Sequence, residues 1–357
     1  MNAAHATLDL DDVEGLLAAD RDGLLRAAAM AGAQTRAVAA AVSEGELDDV
    51  RSAQRPRSLV WVHGQGAAHA AGTMLGAVLG PGISVPFVVA AEVPPWIGVL
   101  DVVVVAGEDS GDPVLVAAAS TAVRRGARVI VVAPEEGPLR EAAAGRAVLL
   151  APRVAVPDHF VLTRYLAAGL AITMAVDPAV HIDLDRLADE LDAEALRNSA
   201  GREVFTNPAK HLAERMSGRE VVLAGEGAAM LALARHAATV LLRVAHQVVA
   251  AVGGADALVA LRSGLGAADY ETSLFHDEEL DGPLPARVRT VVLCADDDRA
   301  AVTARAAGTD GLDVVSADDV RDATVDATRV TGRLEQQIAM LAVRLEMAAV
   351  YLKLVRG

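Results

Sequence analysis

Short apolar runs alternate along most of the chain with longer Ala- and Leu-rich stretches, and a glycine or a cluster of acids stands at most of the junctions. Ser58–His63 (SLVWVH) reads as a strand that enters Gly64-Gln65-Gly66-Ala67-Ala68 and then a helix to Leu79. A second strand is expected near Val85–Ala90, and Pro94-Pro95-Trp96 makes a rigid turn. Asp101–Ala106 (DVVVVA) reads as a buried strand entering the polar loop Gly107–Pro113. A helix over Val114–Arg125 follows and stops at Gly126, a favoured C-terminal position. Arg128–Ala133 and Val148–Ala151 are further strands. Strands alternating with helices at short intervals predict a parallel sheet with right-handed crossovers.

Helices are expected over Asp9–Val42, Phe160–Met174 and Leu184–Arg197, and Ser43–Arg57 reads as a polar linker. The pattern then restarts. Asn207-Pro208-Ala209-Lys210 opens a helix to Met216, and Glu220–Ala224 is a strand entering Gly225-Glu226-Gly227-Ala228-Ala229. One long helix is expected over Leu231–Val252. Arg289–Cys294 reads as a strand entering Asp296-Asp297-Asp298, and Thr331–Leu354 as a closing helix. Gly-x-Gly-Ala-Ala therefore occurs twice, each time after an apolar strand, and each copy precedes an apolar strand that enters an acidic loop. This repeat predicts two lobes related by duplication.

Composition narrows the partners. At 357 residues and 53% hydrophobic, the chain can fill two cores, and with only 3% aromatics they must be built from Ala, Val and Leu. A net charge of −16 argues against nucleic acid and against anionic membrane. Met1–Asp12 lacks the basic-then-apolar order of a secretion signal, and Val99–Ala106 is interrupted by Asp101 and shorter than a membrane span. The expected location is cytoplasmic. Cys294 is the single cysteine, so neither an internal disulfide nor a Cys-pair metal site is available. The sequence carries no standard metal motif, and Asp296–Asp298 reads as a solvated loop. A nicotinamide cofactor is not expected, because His69 and Met230 stand where the dinucleotide fingerprint needs a third small residue. His236 and His246 fall on one expected helix.

Gly64–Gly72 (GQGAAHAAG), Pro94-Pro95-Trp96, Asp101–Ala106 with Ser110-Gly111, and Arg124-Arg125-Gly126-Ala127, in that order, resemble a SIS (sugar isomerase) domain. Asn207–Gly227 (NPAKHLAERMSGREVVLAGEG), Phe275–Glu278 (FHDE) and Glu346–Gly357 (EMAAVYLKLVRG) resemble the second half of the bifunctional phosphoglucose/phosphomannose isomerases. The resemblance implies two tandem doubly wound, flavodoxin-like α/β/α lobes in a homodimer. Residues 1–55 would be a helical segment and linker, 56–180 the first lobe, and 181–357 the second with its closing helix. It also implies aldose–ketose isomerisation of glucose and mannose 6-phosphates without metal or cofactor, and a small sugar derivative, phosphorylated or not, as ligand. His276 stands where the family opens the sugar ring, Arg164 where it steadies the enediolate, and His246 where it places its base glutamate. Gly64, Gly66, Ala67, Ala68, Ser110 and Gly111 fall in the loops that bind substrate.

Three departures weaken that transfer. The family's Gly-Ser pair is Ala67-Ala68, its hydroxyl-rich loop reads Glu108-Asp109-Ser110-Gly111-Asp112-Pro113, and its base position holds His246. A like-charge pair at about 4 Å costs about 1 kcal/mol in water and about 4 kcal/mol at an effective dielectric near 20. Each lost hydrogen bond to a charged group adds roughly 1.5–3 kcal/mol. The expectation is a retained fold with an eroded phosphate grip and weak or absent catalysis. The alternative is a non-catalytic sugar-phosphate-binding regulator.

Overall fold

The computed structural model describes residues 8–51, 54–143, 145–266, 287–318 and 332–356. His276 and the rest of Phe275–Glu278 lie outside the described residues. The chain forms two compact units, one of Arg26–Leu196 and one of Met1–Leu25 with Arg197–Gly357.

Three helices come first: α1 (Val13–Ala19), α2 (Leu24–Ala28) and α3 (Ala31–Ser43). The Arg26–Leu196 unit continues with β1 (Ser58–His63), α4 (Ala67–Leu79), β2 (Phe87–Ala90), β3 (Asp101–Ala106), α5 (Pro113–Arg124), β4 (Arg128–Val132), α6 (Gly137–Ala143), β5 (Ala147–Leu149), α7 (Leu162–Val176) and α8 (Leu184–Arg197). Its five strands are all parallel, in the order β2-β1-β3-β4-β5. Every residue of β3 is buried, which is why it reads as an uninterrupted valine run and not as an alternation. Val60, Val62, Val103, Val105, Val129 and Val131 turn one way, onto Leu115, Ala119 and Leu139 of α5 and α6. Trp61 turns the other way, donating from Nε1 to Ala68 O (2.9 Å) and meeting Tyr165 of α7 edge-on at 6.5 Å. Gly72 is required at that contact, since a Cβ there would lie 2.4 Å from the indole.

The other unit contains α9 (Pro208–Met216), β6 (Glu220–Gly225), α10 (Gly227–Ala245), β7 (Val249–Gly253), α11 (Gly254–Arg262), β8 (Val288–Leu293), α12 (Arg299–Ala306), β9 (Leu312–Val315) and α13 (Leu334–Arg356). Its four strands are parallel in the order β7-β6-β8-β9. With β6, β7, β8 and β9 in the places of β1, β2, β3 and β4, the order repeats that of the first sheet. The glycine loops match as well, with Gly66 at φ +78° and Gly227 at +77° where each chain turns into its helix. The duplicated, doubly wound α/β/α architecture expected from the repeat is the one observed.

One expectation is corrected. The helix expected to reach Val252 ends at Ala245, where His246 takes the left-handed conformation (φ 52°, ψ 30°), and Val249–Gly253 is a strand. Helix α11 follows directly after Gly253. Helix α13 packs along α9 and α10 within its own unit, and most of its residues are buried.

The Asn-Pro-Ala-Lys stretch has a structural role. Asn207 caps α9 by accepting from Lys210 N (3.0 Å), with Pro208 in the first turn. Lys210 is fully buried and donates from Nζ to Ala200 O (2.8 Å) and Arg202 O (2.7 Å), and Tyr351 OH donates to Asn198 O (2.7 Å). Three hydrogen bonds thus tie the 198–202 connection to α9 and α13.

A second buried polar contact joins α10 to α13, where His236 Nε2 lies 3.1 Å from Glu346 Oε1. Burial pushes the Glu346 carboxyl above its ordinary value, against the opposing pull of His236. A folded-state pKa above the unfolded one means that the unfolded chain releases this proton first as pH rises. The stability tied to it is present below the ordinary carboxylate value and is lost as pH climbs through the raised one. Glu346→Gln holds no titrating proton there and keeps an oxygen for His236. The variant is expected to gain stability relative to the parent as pH rises above the ordinary carboxylate range, read from urea midpoints. Parallel pH curves for the two proteins would show that Glu346 does not carry the dependence.

Candidate functional site

In the Arg26–Leu196 unit, the helices after β1 and β3 leave to opposite faces of the sheet. A crevice therefore opens beyond the carboxyl ends of these neighbouring strands, where doubly wound sheets bind ligands. Two loops form it, Gly64-Gln65-Gly66 and Gly107–Asp112. Gly64 N donates to Ala106 O (2.8 Å) and Gly107 N to Val132 O (3.2 Å), so the sheet pairing runs one residue past the strands. A Cβ on Gly107 would lie 2.4 Å from Leu115 Cδ1 and 3.7 Å from Gly64 Cα, so the loops part only beyond this point.

The acids of the second loop are all engaged. Asp109 Oδ1 accepts from Gly111 N (2.8 Å), and Asp112 Oδ1 accepts from Val114 N (2.8 Å), capping α5 ahead of Pro113. These backbone N–H groups at a helix start are the kind that would otherwise face a bound anion. Glu108 turns toward α7. Its Oε1 accepts from both Arg164 Nη2 and the Tyr165 hydroxyl, and the guanidinium stacks 4.6 Å from the Tyr165 ring centre. Burial pushes the Tyr165 phenol well above its ordinary value, so it stays a donor at physiological pH. Arg164 Nε and Gln34 Oε1 have no hydrogen-bond partner, and both residues line a cavity of about 10 Å³, close to the room one water needs.

The remaining predicted residues separate. Gly64 and Gly66 shape the first loop. Ala67 and Ala68 are buried, and the Ala68 carbonyl accepts from Trp61 Nε1. Ser110 is buried too, with its carbonyl accepting from Leu139 N (3.0 Å) at the start of α6, whereas Gly111 is exposed at the loop tip. Arg164 is brought to the crevice loop through Glu108. His246 is exposed at the C-terminal end of α10, the end away from Gly225-Glu226-Gly227. In that second glycine loop, Glu226 Oε1 pairs with Arg305 Nη2 at 2.9 Å.

The sequence reading missed one pair, His63 at the end of β1 and His69 in the first turn of α4. His63 Nδ1 lies 2.9 Å from Gly64 O, and His63 Nε2 lies 3.0 Å from His69 Nδ1. A carbonyl can only accept, so His63 carries a proton on Nδ1. Six residues and one turn separate the two, and only their place on either side of a glycine loop hints at the contact. Among the described residues, no three His, Cys, Asp or Glu side chains are grouped to hold a metal.

The sequence matches no protein-family model, and no curated protein is detectably similar to it. The fold is similar to solved structures along nearly its whole length. A protein provisionally assigned as a phosphosugar isomerase, from Clostridium difficile 630, superposes with TM-score 0.65 at 11% identity, over 94% of this chain and 93% of its own. The tagatose-6-phosphate ketose/aldose isomerase of Escherichia coli gives 0.61 at 15% identity, over 99% and 95%. The C-terminal domain of glucosamine-fructose-6-phosphate aminotransferase from Francisella tularensis gives 0.60 at 12% identity, over 95% and 98%. At such identities the likeness is one of fold, the two-lobed SIS fold.

Proposed function

We propose that this chain binds a sugar derivative in the β1/β3 crevice, that isomerisation of glucose and mannose 6-phosphates is weak or lost, and that its role is binding and regulation. The fold shared with proteins named for phosphosugar chemistry supports the ligand class. The observation that supports the rest is the loop after β3, whose carboxylates accept from backbone N–H groups and from a buried arginine. Asp109 and Asp112 hold the backbone N–H groups, and Glu108 holds Arg164. A phosphate would have to displace them against like charge. The crevice instead presents carboxylate oxygens, acceptors that suit the hydroxyls or the amine of a sugar derivative. The proposal places the protein in the cytoplasm and, on the family resemblance, as a homodimer.

A thermal-shift comparison tests this. Glucose, mannose and glucosamine are expected to raise the melting temperature in a dose-dependent way, since a ligand that binds only the native state stabilises by mass action, about 2.7 kcal/mol at 100 times Kd. Glucose, mannose and fructose 6-phosphates should do no better than inorganic phosphate. A larger shift with the phosphates would reverse the ligand preference, and no shift with any sugar would remove the ligand class.

A further inference from the structure

The connection from β2 to β3 holds three apolar side chains in solvent at the end of the sheet opposite the crevice. Trp96 is 45% exposed, Val99 70% and Leu100 50%. A loop with nothing to do would be mobile or polar here, but this one is fastened from beneath. Asp101 is fully buried at the head of β3 and accepts from Gly98 N (2.8 Å), Ser58 Oγ (2.8 Å) and Arg57 Nε (3.0 Å). Arg57 also donates from Nη2 to Trp96 O (2.6 Å) and from its backbone N–H to Leu100 O (2.8 Å), and its guanidinium lies 5.6 Å from the Trp96 ring centre. Arg125 Nη1 donates to Pro94 O (2.7 Å). Val99 sits over Gly126, where a Cβ would lie 2.9 Å from its Cγ1. With Pro94 and Pro95 preceding it, the tryptophan is presented in one place, so little ordering entropy remains to be lost on binding.

The rim is basic on a chain of net charge −16. Arg124 and Arg125 are exposed at the end of α5, and their hydrogen-bond partners are a threonine hydroxyl and a carbonyl, neither of which neutralises them. Glu92 is the one exposed carboxylate of the Ala91–Leu100 connection. A tryptophan flanked by arginines has the composition of a binding hot spot. A second copy docked through the same patch would bring Arg124 and Arg125 of both copies into one contact, so charge disfavours that symmetric contact. We propose that Trp96, Val99 and Leu100, with Arg124 and Arg125, form a docking surface for an acidic segment of another protein that also carries apolar side chains. The surface is independent of the sugar reading.

The test uses the full chain and a fluorescein-labelled heptapeptide alternating glutamate with leucine, read by fluorescence anisotropy. The same peptide with lysine for glutamate is the control. The acidic peptide should bind, and about 0.5 M salt should weaken it, as rim charges are screened. Trp96→Ala and Arg124→Glu should each weaken it about tenfold or more. Arg124 is exposed at a helix end, so its variant keeps the test valid if Trp96→Ala loses its fold by circular dichroism. Absence of binding at about 1 mM peptide, equal binding of the lysine peptide, or equal binding by the variants would overturn the proposal, 1 mM being the weak end of specific affinity. Light scattering that shows Trp96-dependent self-association would overturn it too, by assigning the surface to a second copy.

Discussion

Arg164→Met is expected to lower the unfolding free energy by about 2–4 kcal/mol, and Glu108→Gln by a similar amount or more. Arg164 lies in the first turn of a helix whose residues are nearly all buried, and its side chain is 7% exposed. Removing one partner of such a pair strands the other's charge, which costs roughly 3–5 kcal/mol in a fully dry site. Glu108 is a third exposed and can regain water, so the arginine variant should fall toward the lower end. Glutamine at 108 leaves the guanidinium buried with a weaker acceptor. The double variant should lose less than the sum of the two, because it strands no charge. Urea denaturation of the four proteins measures this coupling. If Arg164→Met stays within about 0.5 kcal/mol of the parent, the pair is a solvated contact and Arg164 is available to a ligand.

Much of the fold is legible in sequence because its central strands are extreme. β1 and β3 fall at the residues their apolar runs mark, bounded by Gly64 and Gly107, and α8 falls at the residues its charge-and-leucine periodicity marks. Where composition stays uniform the boundary is lost. From Leu231 to Val252 the chain is mostly Ala, Val and Leu with scattered polar residues, and the stop is His246 in a left-handed conformation that a histidine does not advertise. The strand after it could have been suspected from Val248, Val249 and Val252, residues that favour pleated surfaces over helices. β9 was missed because four residues between Gly311 and Ser316 give too short a period to detect.

The site was legible only in outline. Its glycines could be read from the strand–loop–helix pattern, and the acids of Gly107–Asp112 could be read as hostile to phosphate. What each acid does could not. Asp109 and Asp112 bond two residues onward, a local habit of aspartate at turns and caps. Glu108 reaches Arg164, 56 residues away, and that partnership exists only once α7 has packed beside β1. The arginine marked by the family resemblance and the acid marked as a departure are thus two halves of one contact.

No turnover of glucose 6-phosphate or mannose 6-phosphate to fructose 6-phosphate is expected in a coupled assay. Isomerisation needs phosphate binding energy to fix the sugar's reacting carbons against a base, so a lost anchor lowers the rate as well as the affinity. Turnover in the ~1–10³ s⁻¹ range usual for enzymes would show that the carboxylates yield to substrate. The loop's chemistry also predicts how the anchor could be restored. Glu108→Ser frees Arg164 and supplies a hydroxyl, Asp109→Gly releases Gly111 N, and Asp112→Ser keeps a cap on α5 while removing a charge. Ala68 is left alone, since it is buried and a hydroxyl there would be buried too. The triple variant should be less stable than the parent in phosphate-free buffer, with Arg164 lacking its carboxylate. It should regain stability with inorganic phosphate or glucose 6-phosphate, by about 2.7 kcal/mol at 100 times Kd, whereas the parent should not respond. A triple variant that folds yet ignores both anions would place the obstacle in the shape of the crevice and not in its charge.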